Sequence, residues 1–291
     1  VTDPTLTTPT AEASGAMSVA RRRFAAYVFD LDGTIYVDDR LTPGAAQALA
    51  WVRAIGARVA FLTNNPLHRG LAYADKLHRL GIPCTGDEVL TSLDALTGYL
   101  RGAPPAGPIL LLAESLVGEV LVEAGFQLTL DPESAAMVVV SWDRGFDYAR
   151  LLAAFRAVRR GARIVATNPD PFCPTADGGL PDCAAMLAAL EACTGVHAEA
   201  IVGKPSRHMA ATILRHIDVP ASDALMVGDR LLTDVGLART AGMTSGLVLS
   251  GATTAADAAA APVPPDLVLA RLTDLIPAGD PLAPMLLEAR T

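Results

Sequence analysis

No CxxC pair occurs among the four cysteines, Cys84, Cys173, Cys183 and Cys193. Their spacing excludes a zinc ribbon and a thioredoxin-like redox site, and four reduced thiols are expected. No apolar run reaches the ~18 residues of a membrane span. The first 20 residues lack a signal-peptide core and are rich in Thr, Pro, Ala and Ser. Residues 1–22 therefore read as a disordered tail, with Met17 a candidate start, residues 1–16 dispensable, and Arg21 to Arg23 a solvated basic run. Positive charge is scarce: 23 Lys and Arg stand against 31 Asp and Glu, for a net charge of -8. That balance argues against a nucleic-acid-binding face. With no leader and no span, a cytoplasmic protein without membrane partners is expected. No short-period repeat is visible, which excludes a solenoid. Apolar residues are plentiful, at 51% of 291 residues, enough for one large domain or two ordinary ones.

Strand and helix patterns alternate along the chain, which predicts an α/β protein with parallel sheets. The apolar run Ala25 to Phe29 reads as a strand buried on both faces, ending at Asp30. Further strands are predicted at Arg58 to Leu62, Ile109 to Leu112, Met137 to Val140, Arg163 to Ala166, Leu225 to Val227, Gly246 to Leu249 and Leu267 to Leu269. Helices are predicted at Gly44 to Ile55, His68 to Leu80, Ser115 to Ala124, Tyr148 to Arg160 and Cys183 to Cys193. The stretch Thr167 to Pro181 holds four prolines and two glycines and reads as a long loop.

Four short motifs sit where strands end. In Asp30-Leu31-Asp32-Gly33-Thr34 two carboxylates are held close together. They repel unless a cation lies between them, and Mg²⁺ is the hard, oxygen-seeking choice. One carboxylate can then serve as nucleophile and the other as general acid and base. Alone, the motif reads equally as an Asx turn with a helix cap. Thr63-Asn64-Asn65-Pro66 offers a hydroxyl, an amide and backbone N–H groups to phosphate oxygens, or simply caps a helix. Gly203-Lys204-Pro205 fixes the direction of a lysine that can neutralise phosphate, although a lone lysine is more often a surface residue. Gly228-Asp229-Arg230, followed by Thr233-Asp234, adds two carboxylates at the edge where open parallel sheets bind ligands.

Taken together, in this order, these motifs resemble the haloacid dehalogenase-like hydrolase superfamily. More narrowly they resemble its NagD and p-nitrophenyl phosphatase branch, through Asp30 to Tyr36, Thr63 to Asn65, Gly203 to Pro205 and Gly228 to Asp234. The resemblance covers residues 24–276. It implies a Rossmann-like parallel-sheet core with an inserted α/β cap domain. Spacing places that insertion after the second motif, because residues 65–203 are far more chain than one core helix needs. The expected division is a core of residues 23–89 and 197–291 and a cap of residues 90–196.

The resemblance further implies a Mg²⁺-dependent phosphatase acting on a small phosphorylated metabolite, a sugar or polyol phosphate, through an aspartyl-phosphate on Asp30. Asp32 would protonate the leaving oxygen and later activate water. Asp30, the backbone carbonyl of Asp32 and Asp229 would hold Mg²⁺, with Asp234 in support. Gly33, Thr63, Asn64, Asn65 and Lys204 would bind phosphate. A homodimer through the cap is the family expectation. Asn168, Asp182 and Cys183 are candidate substrate contacts, because Asp182-Cys183-Ala184 replaces the glycine-rich segment of many relatives. Asp182 reads equally well as the N-cap of the following helix. Of the five histidines only His68, close after Asn65, is a candidate for the site. Two other functions fit the same motifs: transfer of phosphate to an acceptor other than water, as in a mutase, or a non-catalytic binding protein on this fold. Intact Asp30, Asp32, Lys204 and Asp229 argue against the last, and a complete metal set argues against a dehalogenase.

Overall fold

The computed structural model describes residues 22–173 and 179–287. The expected tail, up to residue 21, lies outside them. Arg22 and Arg23 are described and are not free in solvent. Arg22 Nη2 donates to the Ser222 carbonyl at 2.7 Å, and Arg23 pairs with the buried Asp280 at 2.8 Å. Among the described residues no helix is long and apolar enough to cross a membrane.

Strand β1 (Ala26–Asp30) is followed by a small antiparallel hairpin of β2 (Tyr36–Val37) and β3 (Arg40–Leu41). Helix α1 (Ala45–Ala54), β4 (Arg58–Thr63), α2 (Gly70–Arg79), β5 (Val89–Thr91) and α3 (Ser92–Gly102) continue the chain. Next come β6 (Ile109–Leu112), α4 (Ser115–Glu123), β7 (Met137–Val140), α5 (Tyr148–Arg159) and β8 (Arg163–Ala166). Strands β9 (Phe172–Cys173) and β10 (Leu180–Pro181) pair antiparallel, so the segment expected to be a plain loop carries a short hairpin. Helix α6 (Cys183–Thr194), β11 (Ala200–Ile201), α7 (Arg207–Ile217) and β12 (Ala224–Gly228) follow. The chain ends with α8 (Gly236–Ala241), β13 (Thr244–Val248), α9 (Ala255–Ala260), β14 (Leu267–Leu269) and α10 (Ala283–Leu287).

Two parallel sheets organise these elements. The larger has the order β14-β13-β12-β1-β4-β5, and the smaller has the order β11-β8-β7-β6. β1 lies at the centre of the larger sheet because every residue of it is buried. Ala26 and Val28 join one apolar cluster and Tyr27 and Phe29 join another, as expected of a strand covered on both faces. Full burial of a ring such as Phe29 or Phe61 contributes about 1.5–3 kcal/mol. The first cluster also takes in Leu96 of α3, Ile213 of α7 and Met137 and Val165 of the smaller sheet. One continuous apolar body therefore links the two sheets.

The division expected at 89/90 falls inside β5, which pairs with β4 in the larger sheet. The return expected at 196/197 precedes β11, which pairs with β8 in the smaller sheet. Both differences arise from strand pairing over two or three residues, which leaves no mark on composition.

Candidate active site

Strands β12, β1 and β4 are parallel neighbours at the centre of the larger sheet. Their C-terminal ends bring Asp30, Thr63 and Asp229 to one edge. Asp30, Asp229 and Asp234 each offer a carboxylate oxygen within 4.8 Å of the others. All three are buried. Lys204 enters among them with 3% of its surface exposed. Its Nζ donates to Asp30 Oδ1, to Asp234 Oδ1 at 2.7 Å and to the Leu62 carbonyl at 3.4 Å.

Burial pushes the Asp30 pKa well above the ordinary range, and the Asp234 and Asp229 charges add to that while Lys204 opposes it. Burial and the Asp234 charge push Asp229 up to about 6. Burial alone would lower the Lys204 pKa, but Asp234 and Asp30 outweigh it and hold the lysine charged. Asp229 Oδ2 accepts from the Ala252 amide at 2.6 Å. Its other oxygen, Oδ1, is buried without a hydrogen-bond partner. A buried carboxylate oxygen left bare is costly in an empty protein and well suited to a cation. Asp234 differs, since Lys204 holds one oxygen and the Arg230 amide holds the other at 3.0 Å.

Gly33 lies tightly beneath this cluster. Its φ is +84°, and a Cβ there would come within 2.5 Å of Asp229 Oδ2. Its N–H already donates to the Tyr36 carbonyl at 2.8 Å, so Gly33 serves by close approach and not as the expected phosphate donor. Gly33→Ala is expected to cut turnover at least about tenfold by displacing Asp229, with the fold retained by circular dichroism. Unchanged turnover would mean that the cradle relaxes freely.

The pocket above the cluster is lined by Asp30, Asp32, Thr63, Asn65, Asp182 and Arg230, among others. Asp32 reaches solvent at its mouth, yet the surrounding protein desolvates the carboxylate and raises its pKa.

The family described as haloacid dehalogenase-like hydrolase matches residues 27–127, and a related HAD-hydrolase-like family matches residues 201–275. The sugar-phosphatase AraL of Bacillus subtilis is 31% identical over 227 residues, which are 78% of this chain and 84% of the relative. The chain belongs to the haloacid dehalogenase-like hydrolase family.

An acid sugar phosphatase of Staphylococcus saprophyticus is 31% identical over 255 residues, covering 88% of this chain and 98% of the relative. The crystal structure of a 4-nitrophenylphosphatase from Thermotoga maritima superposes with a TM-score of 0.81 at 35% identity, covering 87% of this chain and 96% of that one. A glycerol phosphate phosphatase of Mycobacterium tuberculosis, in complex with magnesium, gives a TM-score of 0.81 at 32% identity, covering 89% and 78%. Within the family the chain is a phosphatase of the NagD and p-nitrophenyl phosphatase branch, with its parallel-sheet core and α/β cap.

The expected site residues divide between the pocket and the protein interior. Asn64 lines the pocket, but its side-chain amide is spent on Lys204 and Asp170. Cys183 is fully buried in the apolar cluster on one face of the smaller sheet, where burial pushes its thiol up to about 11. Asn168 is fully buried and donates to Asp170 at 3.1 Å and to Asp182 at 3.2 Å. Asp182 is a helix cap that also stands at the pocket. Its carboxylate accepts from the Cys183 amide at 2.5 Å as the N-cap of α6, and it also lines the pocket. Burial raises its pKa to about 6. His68 is exposed, packs edge-on against Tyr73 and is not among the pocket residues. Asp170, Phe172, Cys173 and Arg230 also line the pocket and are not among the expected contacts, although Arg230 stands within the fourth motif. Asp170 stands in a Pro-rich segment where an acidic residue looks like a turn former, so its sequence does not reveal its role.

Proposed function

We propose that this chain is a Mg²⁺-dependent phosphomonoesterase acting on a small phosphorylated sugar or polyol through an aspartyl-phosphate on Asp30. The observation that carries this reading is the trio Asp30, Asp229 and Asp234 around Lys204, with Asp229 Oδ1 lacking any protein donor. Three carboxylates against one lysine leave an excess of two negative charges, and a divalent cation balances them. Asp30, Asp229 and the backbone of Asp32 would hold Mg²⁺, with Asp234 occupied mainly in holding Lys204. Bound there, the cation supplies neutralising charge to the carboxylates and to the phosphoryl oxygens.

Asp30 attacks phosphorus, and the bond from phosphorus to the leaving oxygen breaks. Asp32, at the pocket mouth, gives its proton to that oxygen. Its raised pKa favours the protonated form needed for this step. Asp32 then takes a proton from the water that hydrolyses the acyl-phosphate. Lys204 holds Asp30 in line and keeps a positive charge beside the transferring group. Thr63, Asn65 and Asp182 complete the lining, with the smaller sheet and its helices serving as the cap. A cap-mediated homodimer and a cytoplasmic location belong to the same proposal.

The substrate class is supported by the sugar and glycerol phosphate phosphatases among the relatives. A 5'-nucleotidase of Bacillus subtilis is also 31% identical, so the leaving group needs its own test. A panel of sugar, polyol and nucleoside monophosphates should be assayed with Mg²⁺ for inorganic phosphate and for the alcohol product. Equal release of both, highest for sugars or polyols, is the expected outcome. Phosphate recovered in a new ester would point to a phosphotransferase, and no release from any compound to a binding protein.

A further inference from the structure

We infer that Asp170, on the cap segment after β8, is a positioning residue that fixes the catalytic lysine through Asn64. This rests on the reading above that Lys204 serves Asp30. Three observations lead to it.

The first is where Lys204 sits. β11 pairs with β8, and the pairing runs on past both strand ends: the Val202 amide donates to Ala166 at 2.9 Å and the Gly203 amide to Thr167 at 2.7 Å. Lys204 is the next residue, so it stands where the cap sheet hands the chain back to the core. A Cβ on Gly203 would lie 2.5 Å from the Thr167 carbonyl and 2.6 Å from Asn64 Oδ1, so only glycine lets the three segments meet.

The second is the Asn64 amide. Its Oδ1 accepts from the Lys204 amide at 2.7 Å, and its Nδ2 donates back to the Lys204 carbonyl at 3.1 Å. These two bonds clamp the backbone of one residue. The remaining Nδ2 hydrogen goes to Asp170 Oδ2 at 2.7 Å. An amide nitrogen has two hydrogens, so none is left for phosphate. The Asn64 side chain therefore acts on the lysine and not on the substrate.

The third is what holds Asp170. It is 9% exposed, and its Oδ2 also accepts from Asn168 Nδ2 at 3.1 Å. Its Oδ1 faces Arg230 Nη1 at 3.5 Å, an ion pair beyond hydrogen-bond length. A carboxylate accepts only, so Asp170 reinforces the one orientation that suits Lys204, with the Asn64 nitrogen toward Asp170 and its oxygen toward the Lys204 N–H. The chain of contacts runs from Asp170 through Asn64 and Lys204 to Asp30. A neutral residue at 170 removes the charged acceptor that anchors the Asn64 amide and lets the clamp on Lys204 shift, and a small misplacement of a reacting group can cost about 10²-fold.

The test is Asp170→Asn, nearly the same shape, together with Asp170→Ala, Asn64→Ala and the double Asp170→Ala/Asn64→Ala. Each is assayed with p-nitrophenyl phosphate and two metabolite monophosphates of different leaving group, and melting temperature is followed alongside. The expected result is a fall in kcat of roughly 10²-fold for Asp170→Asn, with KM within about threefold and the same factor for every substrate. The double variant should be no worse than Asn64→Ala alone, because both act through one path. A loss that varies more than about tenfold between substrates would overturn the proposal and make Asp170 a leaving-group contact. Additive losses, or wild-type kcat in Asp170→Asn, would overturn it as well. If Asp170→Ala unfolds, the Asp170→Asn data decide alone. Failure of the phosphatase reading itself is separable, since the wild-type protein would then release no phosphate.

Discussion

Asp30→Asn is expected to lower turnover of p-nitrophenyl phosphate by about 10⁴-fold or more while leaving the protein folded. Only an ionised carboxylate can form the acyl-phosphate, and an amide of the same shape cannot. The structural cost should be small. Lys204 keeps its 2.7 Å bond to Asp234 and its contact with the Leu62 carbonyl. The burial that raises the Asp30 pKa is a penalty on its charged form, and the neighbouring Asp234 and Asp229 charges increase it. A neutral residue removes that penalty, so the melting temperature should stay level or rise, as often happens when a strained site loses its function. Turnover near the wild-type rate in purified Asp30→Asn would end the assignment of the nucleophile. A collapse of the fold would mean that the Lys204 pair with Asp30 is structural first.

The motifs were legible because each combines chemistry with a strand end. The run before Asp30 is apolar without interruption, so its position at the C-terminal edge of a buried parallel strand could be read directly. Asp229 follows the apolar strand β12 in the same way. Lys204 was legible as a fixed lysine between Gly203 and Pro205, but its burial was not, because nothing in three residues says that two carboxylates will surround it. Thr and Asn at a helix entrance suit anions, and that pattern points Asn64 to phosphate. The partners of its side chain, Lys204 and Asp170, lie 140 and 106 residues away. Cys183 looked equivalent to Asp182 in sequence, but as the first residue of α6 it turns into the core while its neighbour caps the helix. The β9–β10 hairpin was hidden by prolines and glycines that mark turns without saying that the segments between them pair. Local pattern thus located the chemistry at the strand ends, whereas contacts between segments far apart in sequence decided what each side chain touches.

Removing Mg²⁺ with EDTA should abolish turnover, and restoring it should recover turnover fully. Without a cation the site holds three carboxylates against one lysine. Burial then drives protons onto them, pushing Asp229 up to about 6 and Asp30 well above its ordinary range. A protonated Asp30 is not a nucleophile, and uncompensated charge beside it repels the phosphate dianion. Asp229→Asn should raise the Mg²⁺ concentration for half-maximal activity by at least about tenfold, because it removes the charge on the one carboxylate with a bare buried oxygen. Calcium is expected to bind the carboxylates of Asp30, Asp229 and Asp234 as a hard, oxygen-seeking cation, but to support little turnover. Its longer bonds and higher coordination number would draw Asp30 away from the line of attack. Metal content, melting temperature and initial rate should be measured on the same samples. A rise in melting temperature with either ion, but turnover with Mg²⁺ alone, is the expected pattern. Full activity in excess EDTA, with negligible metal confirmed, would show that Lys204 and the backbone carry the charge unaided.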